Sequence, residues 1–308
     1  MFRSLPGALI SVWGTSTTDV WATGADPGDG LGPMVLHFDG AGWTRLDTGT
    51  RGDLWWVFGF AGGPVFFGGQ GGRILRYSAG LFETMPTPAT PGTSIVFGIW
   101  GSAPDDVWAV GGTGTSGAFA WRFDGVSWAD APGLPASLGS SASLFKVWGT
   151  AANDVWLVGT GGTIVHHDGL SATVAPPVTT RTLFTVHAAS TARSAAVGGG
   201  AAGVILENDG AGWVDVSPAG TALLFGVSLS ATNADDGYAV GLGGAVVRRS
   251  ASGWAPEPTG LDVYETLHAV WIDPGGGVWA AGGQVFAPPL VQGVLIHRGA
   301  PVPGGTYP

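Results

Sequence analysis

One short apolar run recurs seven times along the chain, and a sequence that repeats at a period of about 40 residues builds its core by stacking copies of one small unit. The run reads Leu-Ile-Ser-Val-Trp-Gly at residues 9 to 14, Leu-Trp-Trp-Val-Phe-Gly at 54 to 59 and Val-Phe-Gly-Ile-Trp-Gly at 96 to 101. Four more follow, beginning at Leu144, Leu183, Leu224 and Leu267. Their anchor residues are Trp13, Phe58, Trp100, Trp148, His187, Ser228 and Trp271, separated by 45, 42, 48, 39, 41 and 43 residues.

A second register confirms the period. Eight residues after the anchor stand Trp21, Phe66, Trp108, Trp156, Ala195 and Trp279, with Tyr238 two residues late, and each leads into a glycine. A third apolar piece ends near Asp-Gly, and an aromatic opens the fourth at Trp43, Phe82, Trp128, Trp213 and Trp254. Four β-rich runs separated by Gly, Asp, Asn and Pro are four strands of an antiparallel meander. One such sheet cannot bury both faces, whereas seven arranged radially cover one another and leave only short edges. The expected fold is therefore all-β: a seven-bladed β-propeller of four-stranded antiparallel blades, one domain over 1–308, with blades at about 9–50, 54–94, 95–143, 144–182, 183–222, 223–266 and 267–308 plus 1–8. The last repeat has no fourth strand of its own. Residues 2–5, which sit before the first anchor, are expected to supply it and close the ring.

The motif Val-Trp-Gly, then Asp-Val-Trp-Ala-Val-Gly, then an apolar strand, Asp-Gly and Trp, resembles the repeats of secreted bacterial propellers and is similar to the tectonin and Asp-box classes. Asp39 to Trp43, Asp124 to Trp128 and Asp209 to Trp213 look like shortened Asp-boxes. They have one residue fewer between Asp and Trp and no leading Ser or Thr, so only a turn-forming role carries over. The resemblance to tectonin-type propellers, often lectins, implies a glycan ligand and a secreted or cell-surface location. The opening Met-Phe-Arg-Ser-Leu-Pro-Gly has no apolar h-region, so we expect no signal peptide in it.

Composition narrows the function. The chain has no cysteine, which removes disulfides, thiolate metal sites and cysteine nucleophiles. A formal charge of −10 with Lys146 as the single lysine argues against nucleic acid, since phosphate neutralisation needs clustered cations. Apolar stretches are broken by Gly, Asp or Pro before reaching bilayer-spanning length, so no membrane span is expected. No His-Glu-x-x-His or comparable spacing occurs among the six histidines. His37 and His166 share a third-strand position that other blades fill with Arg76, Arg122, Glu207 or Arg248. His187 and His268 replace apolar residues in the first strand and read as satisfied core histidines. Adjacent His166 and His167 fall on opposite strand faces and cannot chelate together.

Twelve of the fifteen tryptophans fall in repeat register and are read as packing between blades. Trp55, Trp56 and Trp121 do not, which makes them candidates for function. The Asp of each Asp-Val-Trp is expected to close the first hairpin of its blade, its carboxylate accepting turn amides.

What differs between repeats is where function is grafted onto a scaffold. The loop between second and third strands lengthens in blade one (24–33), blade three (111–118) and blade seven (283–292), on the same face as long crossings such as 129–143. Blades seven and one adjoin in the closed ring. Their loops, carrying Gln284, Phe286, Pro288, Pro289, Asp26 and Asp29, are expected to form one rim. Near the axis, Trp56 and Lys146 interrupt the small residues Ser11, Gly98, Thr185, Gly226 and Ala269. The candidate ligand-binding residues are thus Asp26, Asp29, Trp56, Lys146, Gln284 and Phe286, with no catalytic or metal residue assigned. No cofactor is required, although Asp26-Pro27-Gly28-Asp29-Gly30 could wrap calcium.

Three functions remain open. The first is a monomeric, non-catalytic binding module for a glycan or protein on the long-loop face. The second is a polysaccharide- or glycoside-active enzyme using Asp or Glu there, and the third is a purely structural scaffold. Inward-facing carboxylates would favour the enzyme, and an aromatic rim would favour binding.

Overall fold

The computed structural model describes residues 1–88, 94–112, 117–135 and 143–303. These form seven four-stranded antiparallel sheets. In blade one the strands run Leu9–Ser16, Asp19–Gly24, Val35–Phe38 and Trp43–Arg45 from the axis outwards. The innermost strands of the other blades are Leu54–Gly59, Ile95–Ala103, Leu144–Ala151, Thr182–Ser190, Leu224–Leu229 and Thr266–Ile272. Each touches the next, and Leu9–Ser16 also touches Thr266–Ile272, so the ring is closed.

Closure uses the N-terminus. Phe2–Leu5 pairs with Val291–Arg298 as the outer strand of blade seven, with Phe2 opposite Leu295 and Leu5 opposite Gly293. Phe2 and Leu5 are buried, and the Phe2 ring meets Trp43 edge to face at 5.7 Å.

The repeated motifs now have physical reasons. The glycine of Val-Trp-Gly makes room for the preceding blade: a Cβ at Gly14 would lie 2.5 Å from the tip of Trp271, and one at Gly149 would lie 2.7 Å from the tip of Trp100. The carboxylate of Asp-Val-Trp has a structural role with different partners from those expected. Asp19 accepts from the Thr15 hydroxyl at 2.5 Å and the Trp21 indole at 2.9 Å, and pairs with His37 Nε2 at 2.8 Å, rather than accepting turn amides. His37 stacks on Trp21 at 3.8 Å. Asp154 repeats this with Thr150, Trp156 and His166. His167 turns the other way, onto Trp108. The bond to His37, helped by Thr15 and Trp21, holds the Asp19 carboxyl below its usual pKa against the opposing effect of burial.

The shortened Asp-boxes do form turns. Asp39 accepts the amides of Ala41 and Gly42, and Asp124 those of Val126 and Ser127. Trp121, out of register in the sequence, stacks on Phe119 at 4.0 Å and is buried. No helix among the described residues is long and apolar enough to cross a membrane.

Candidate binding site

The innermost strands do more than line an axis. In every blade their pairing with the second strand slips by one residue near the start, at 9/11, 54/56, 96/98, 144/146, 183/185, 224/226 and 267/269. The residue inside each slip is a bulge, and a bulge re-aims its side chain. Those residues are Ile10, Trp55, Phe97, Phe145, Phe184, Phe225 and His268. Instead of alternating away from the axis, they form a belt around its mouth, on the long-loop face. Successive rings are in contact: Trp55 to Phe97 at 5.4 Å, Phe97 to Phe145 at 5.1 Å, Phe145 to Phe184 at 5.2 Å, Phe184 to Phe225 at 5.0 Å and Phe225 to His268 at 5.5 Å. His268 closes the belt by donating from Nδ1 to the Ile10 carbonyl at 2.7 Å. Of these positions the sequence marks only Trp55 as a functional candidate and reads His268 as core. Their signal was there, in an aromatic at the second position of the run in five of seven blades.

One layer down lie Ser11, Trp56, Gly98, Lys146, Thr185, Gly226 and Ala269. Their polar members tie blades together: Ser11 accepts the Val57 amide, the Trp56 indole donates to the Ile99 carbonyl at 2.9 Å, and the Thr185 hydroxyl donates to that of Phe225. Lys146 is 3% exposed, donates to the Phe97 carbonyl at 3.0 Å, and holds its amine 3.0 Å from the centroid of the Trp56 ring. Burial pushes its pKa well below the usual lysine value. Trp56 and Lys146, expected to stand out on the axis, are thus in direct contact.

Further down, the anchor layer blocks the channel. Trp13 stacks on Phe58 at 5.3 Å and meets Trp271 at 5.6 Å, while its indole donates to the Gly59 carbonyl. His187 accepts the Leu229 amide and packs against Trp148 at 4.5 Å. What remains above is a blind cavity of ≈ 170 Å³, lined by the aromatic belt, Lys146 and Val285 and Phe286 of the blade-seven loop. Phe286 is 59% exposed and packs on Phe225 at 5.4 Å. No carboxylate lines this cavity among the described residues. Burial, with the Lys146 amine adding to it, pulls the His268 pKa down to about 4, so its ring is neutral at pH 7 and Nε2 carries a lone pair. His268 therefore belongs to the pocket as well as to the core.

The rim residues divide. The blade-one and blade-seven loops do meet, with Ala25, Val285, Ile10 and Ala8 in one apolar cluster against Trp55 and Leu290. Phe286 reaches the pocket. Gln284 is exposed and donates to the Pro289 carbonyl at 3.5 Å. Asp26 faces blade two, accepting the amides of Gly28 and Gly52, both at 2.9 Å. Asp29 receives both Arg45 nitrogens, which hold its carboxyl below the usual pKa. No group of three metal-ligating side chains occurs among the described residues. Parts of the blade-three loop (113–116) and of the 129–143 crossing (136–142) lie outside the described residues.

Larger grooves run between blades. One of ≈ 530 Å³ between blades six and seven has Tyr238, Glu257 and Arg298 on its rim, but Arg298 is engaged by both Glu257 and Tyr238. The axial pocket differs in holding polar groups that packing leaves incompletely used.

Fold and site together define a seven-bladed β-propeller with a blind, aromatic-belted axial pocket. Neither a protein-family model nor a curated protein matches the chain. Among solved structures it is similar to a streptogramin B lyase, at 13% identity and TM-score 0.73 over 96% of this chain and 97% of that one. It is also similar to the WD40 propeller domain of Doa1, at 12% identity and TM-score 0.67 over 94% and 96%. A third is YCF48 bound to a D1 peptide, at 12% identity and TM-score 0.64 over 90% and 91%. Likeness at this identity establishes the shared fold.

Proposed function

We propose that the protein is a non-catalytic binding module that seats an apolar group of a protein or peptide ligand in the mouth of the axial pocket. The observation that carries this reading is the belt itself. Each blade re-aims one residue by a bulge, six of these residues line a common opening, five of them aromatic, and Phe286 stands exposed beside it. A ring this apolar would gain by covering itself with a partner's side chain. A sugar would need several hydrogen-bonding groups around its ring, and the lining offers few. A glycoside-active site would need paired carboxylates, and the lining holds none among the described residues; a streptogramin B lyase shares the architecture. That one propeller of this shape was captured with a peptide is consistent with the proposal.

The test is a titration with N-acetyl-phenylalanine amide followed by ligand-observed NMR, beside a glycan array. Saturable binding that weakens about tenfold in both Phe286→Ala and Phe184→Ala, with melting little changed, supports the reading. Array hits without amino-acid binding would return the ligand to the glycan class, and binding unaffected by either variant would move the site elsewhere.

A further inference from the structure

The pocket has an imbalance between donors and acceptors that its apolar walls conceal. Lys146 carries three N–H bonds when charged, and the structure gives it one acceptor, the Phe97 carbonyl. The remaining favourable contact is the face of Trp56. In the pocket wall the Trp55 indole N–H is buried without any acceptor. The titratable group facing Lys146 across the cavity is His268, whose own N–H is committed to Ile10. A buried amine with no acid beside it is costly, and one way to relieve that cost is a ligand that brings the acid.

We propose that the pocket selects a ring-sized apolar group that bears a carboxylate, with the belt around the apolar part and the carboxylate on the Lys146 amine. This rests on the reading of the axial mouth as a binding site and adds the ligand's charge to it. Size is the first argument. The ≈ 170 Å³ cavity is close to the roughly 150 Å³ of an apolar cavity known to take up benzene. Charge is the second. Lys146 is the only lysine and no arginine lines the cavity among the described residues, so one negative charge can be matched there and a phosphate dianion cannot. The third is proton balance. Burial disfavours the charged amine and a carboxylate beside it favours the charge again, so the two groups are held together as an ammonium–carboxylate pair. A free arylalkanoic acid and the C-terminal residue of a chain present the same chemistry.

The probes are 3-phenylpropionate and its neutral amide, with Gly-Gly-Gly-Phe carrying a free or an amidated C-terminus. Calorimetry at pH 7.5 in phosphate and in Tris reads affinity and proton uptake together. We expect the acids to bind at least tenfold more tightly than the amides, with any proton uptake confined to the acids. In Lys146→Met that preference should disappear while weak amide binding persists. The preference for acid over amide is measured on the unaltered protein, so the proposal stays testable if the variant folds poorly. Tighter binding of the free peptide terminus than of 3-phenylpropionate identifies a chain end as the source, and the reverse identifies a small acid. Equal affinity for acid and amide, or a preference that survives Lys146→Met, overturns the proposal. Binding of N-acetyl-phenylalanine amide with no binding of the acids would overturn it while leaving the site in place; failure of all these probes would remove the site as well.

Discussion

Trp13 of blade one and Trp148 of blade four meet edge to face across the propeller axis, with ring centroids 5.1 Å apart and planes at 70°. The contact joins opposite sides of the ring, so the two anchor residues close a channel that smaller side chains would leave open. Each is also tied to a neighbouring blade, Trp13 to the Gly59 carbonyl and Trp148 to that of Ala188, both at 3.1 Å. Trp148→Ala should therefore cost about 3–5 kcal/mol, since the surrounding blades cannot collapse into the space. The expected result is a melting temperature lower by on the order of 10 °C. A shift within error would mean that the plug is not under load.

The closing strand can be tested by removing it. Deleting residues 1–6 exposes the edge of Val291–Arg298 and uncovers what Phe2 and Leu5 bury, Trp43 included. Two side chains of this kind contribute up to roughly 3–6 kcal/mol, an upper figure because unfolded chains are not fully extended. We expect a sharply lower melting temperature and, from the unpaired edge, concentration-dependent aggregation in light scattering. An unchanged melt would show that the ring holds without this strand.

How far each feature could be read in advance follows from what repeats and what does not. Trp21, Trp108 and Trp156 were legible as core because the same packing problem recurs in each blade, and residues 2–5 were legible because one strand was missing from the last repeat. The belt was not. Period-two alternation assigns Phe97 or Phe184 to the side of the strand away from the axis, and only the bulge reverses that. Asp26 and Asp29 looked free at the rim because a sequence does not show which amides and guanidinium will claim a carboxylate. Lys146 and Trp56 were singled out for breaking a small-residue pattern. Their contact across two blades needed the closed ring to become visible.

Acid should weaken the fold through two inner histidines. Burial, with a smaller push from Arg193, lowers the His187 pKa to about 3, and burial with Lys146 lowers that of His268 to about 4. An unfolded histidine titrates near pH 6.5, so between those values the unfolded chain binds protons that the folded chain refuses. Stability from both residues is therefore complete above about pH 6.5 and is lost as pH falls towards 4 and then 3. Melting temperatures at pH 7.5 and 5.0 should fall further apart in the parent than in His187→Gln, which keeps an acceptor for the Leu229 amide. Equal pH dependence in the two proteins would show that His187 does not titrate in this way.

Lys146 should act on the alkaline side. Its folded pKa lies well below that of an unfolded lysine, about 10.4, so below that pH the unfolded chain gains a proton that the folded pocket resists. The stability of the parent therefore rises with pH between the folded value and about 10.4, by up to about 1.4 kcal/mol per pH unit. Lys146→Met removes the buried amine while keeping a flexible chain of similar length against Trp56. The variant should melt above the parent at pH 7.5, and the gap should narrow as pH approaches 10. A saturating carboxylate ligand should narrow the same gap at neutral pH, because it stabilises only the protein that retains the amine. A gap constant from pH 7 to 10 would mean that the amine is already paired or solvated, and the case for a charged ligand at the floor of the pocket would fall with it.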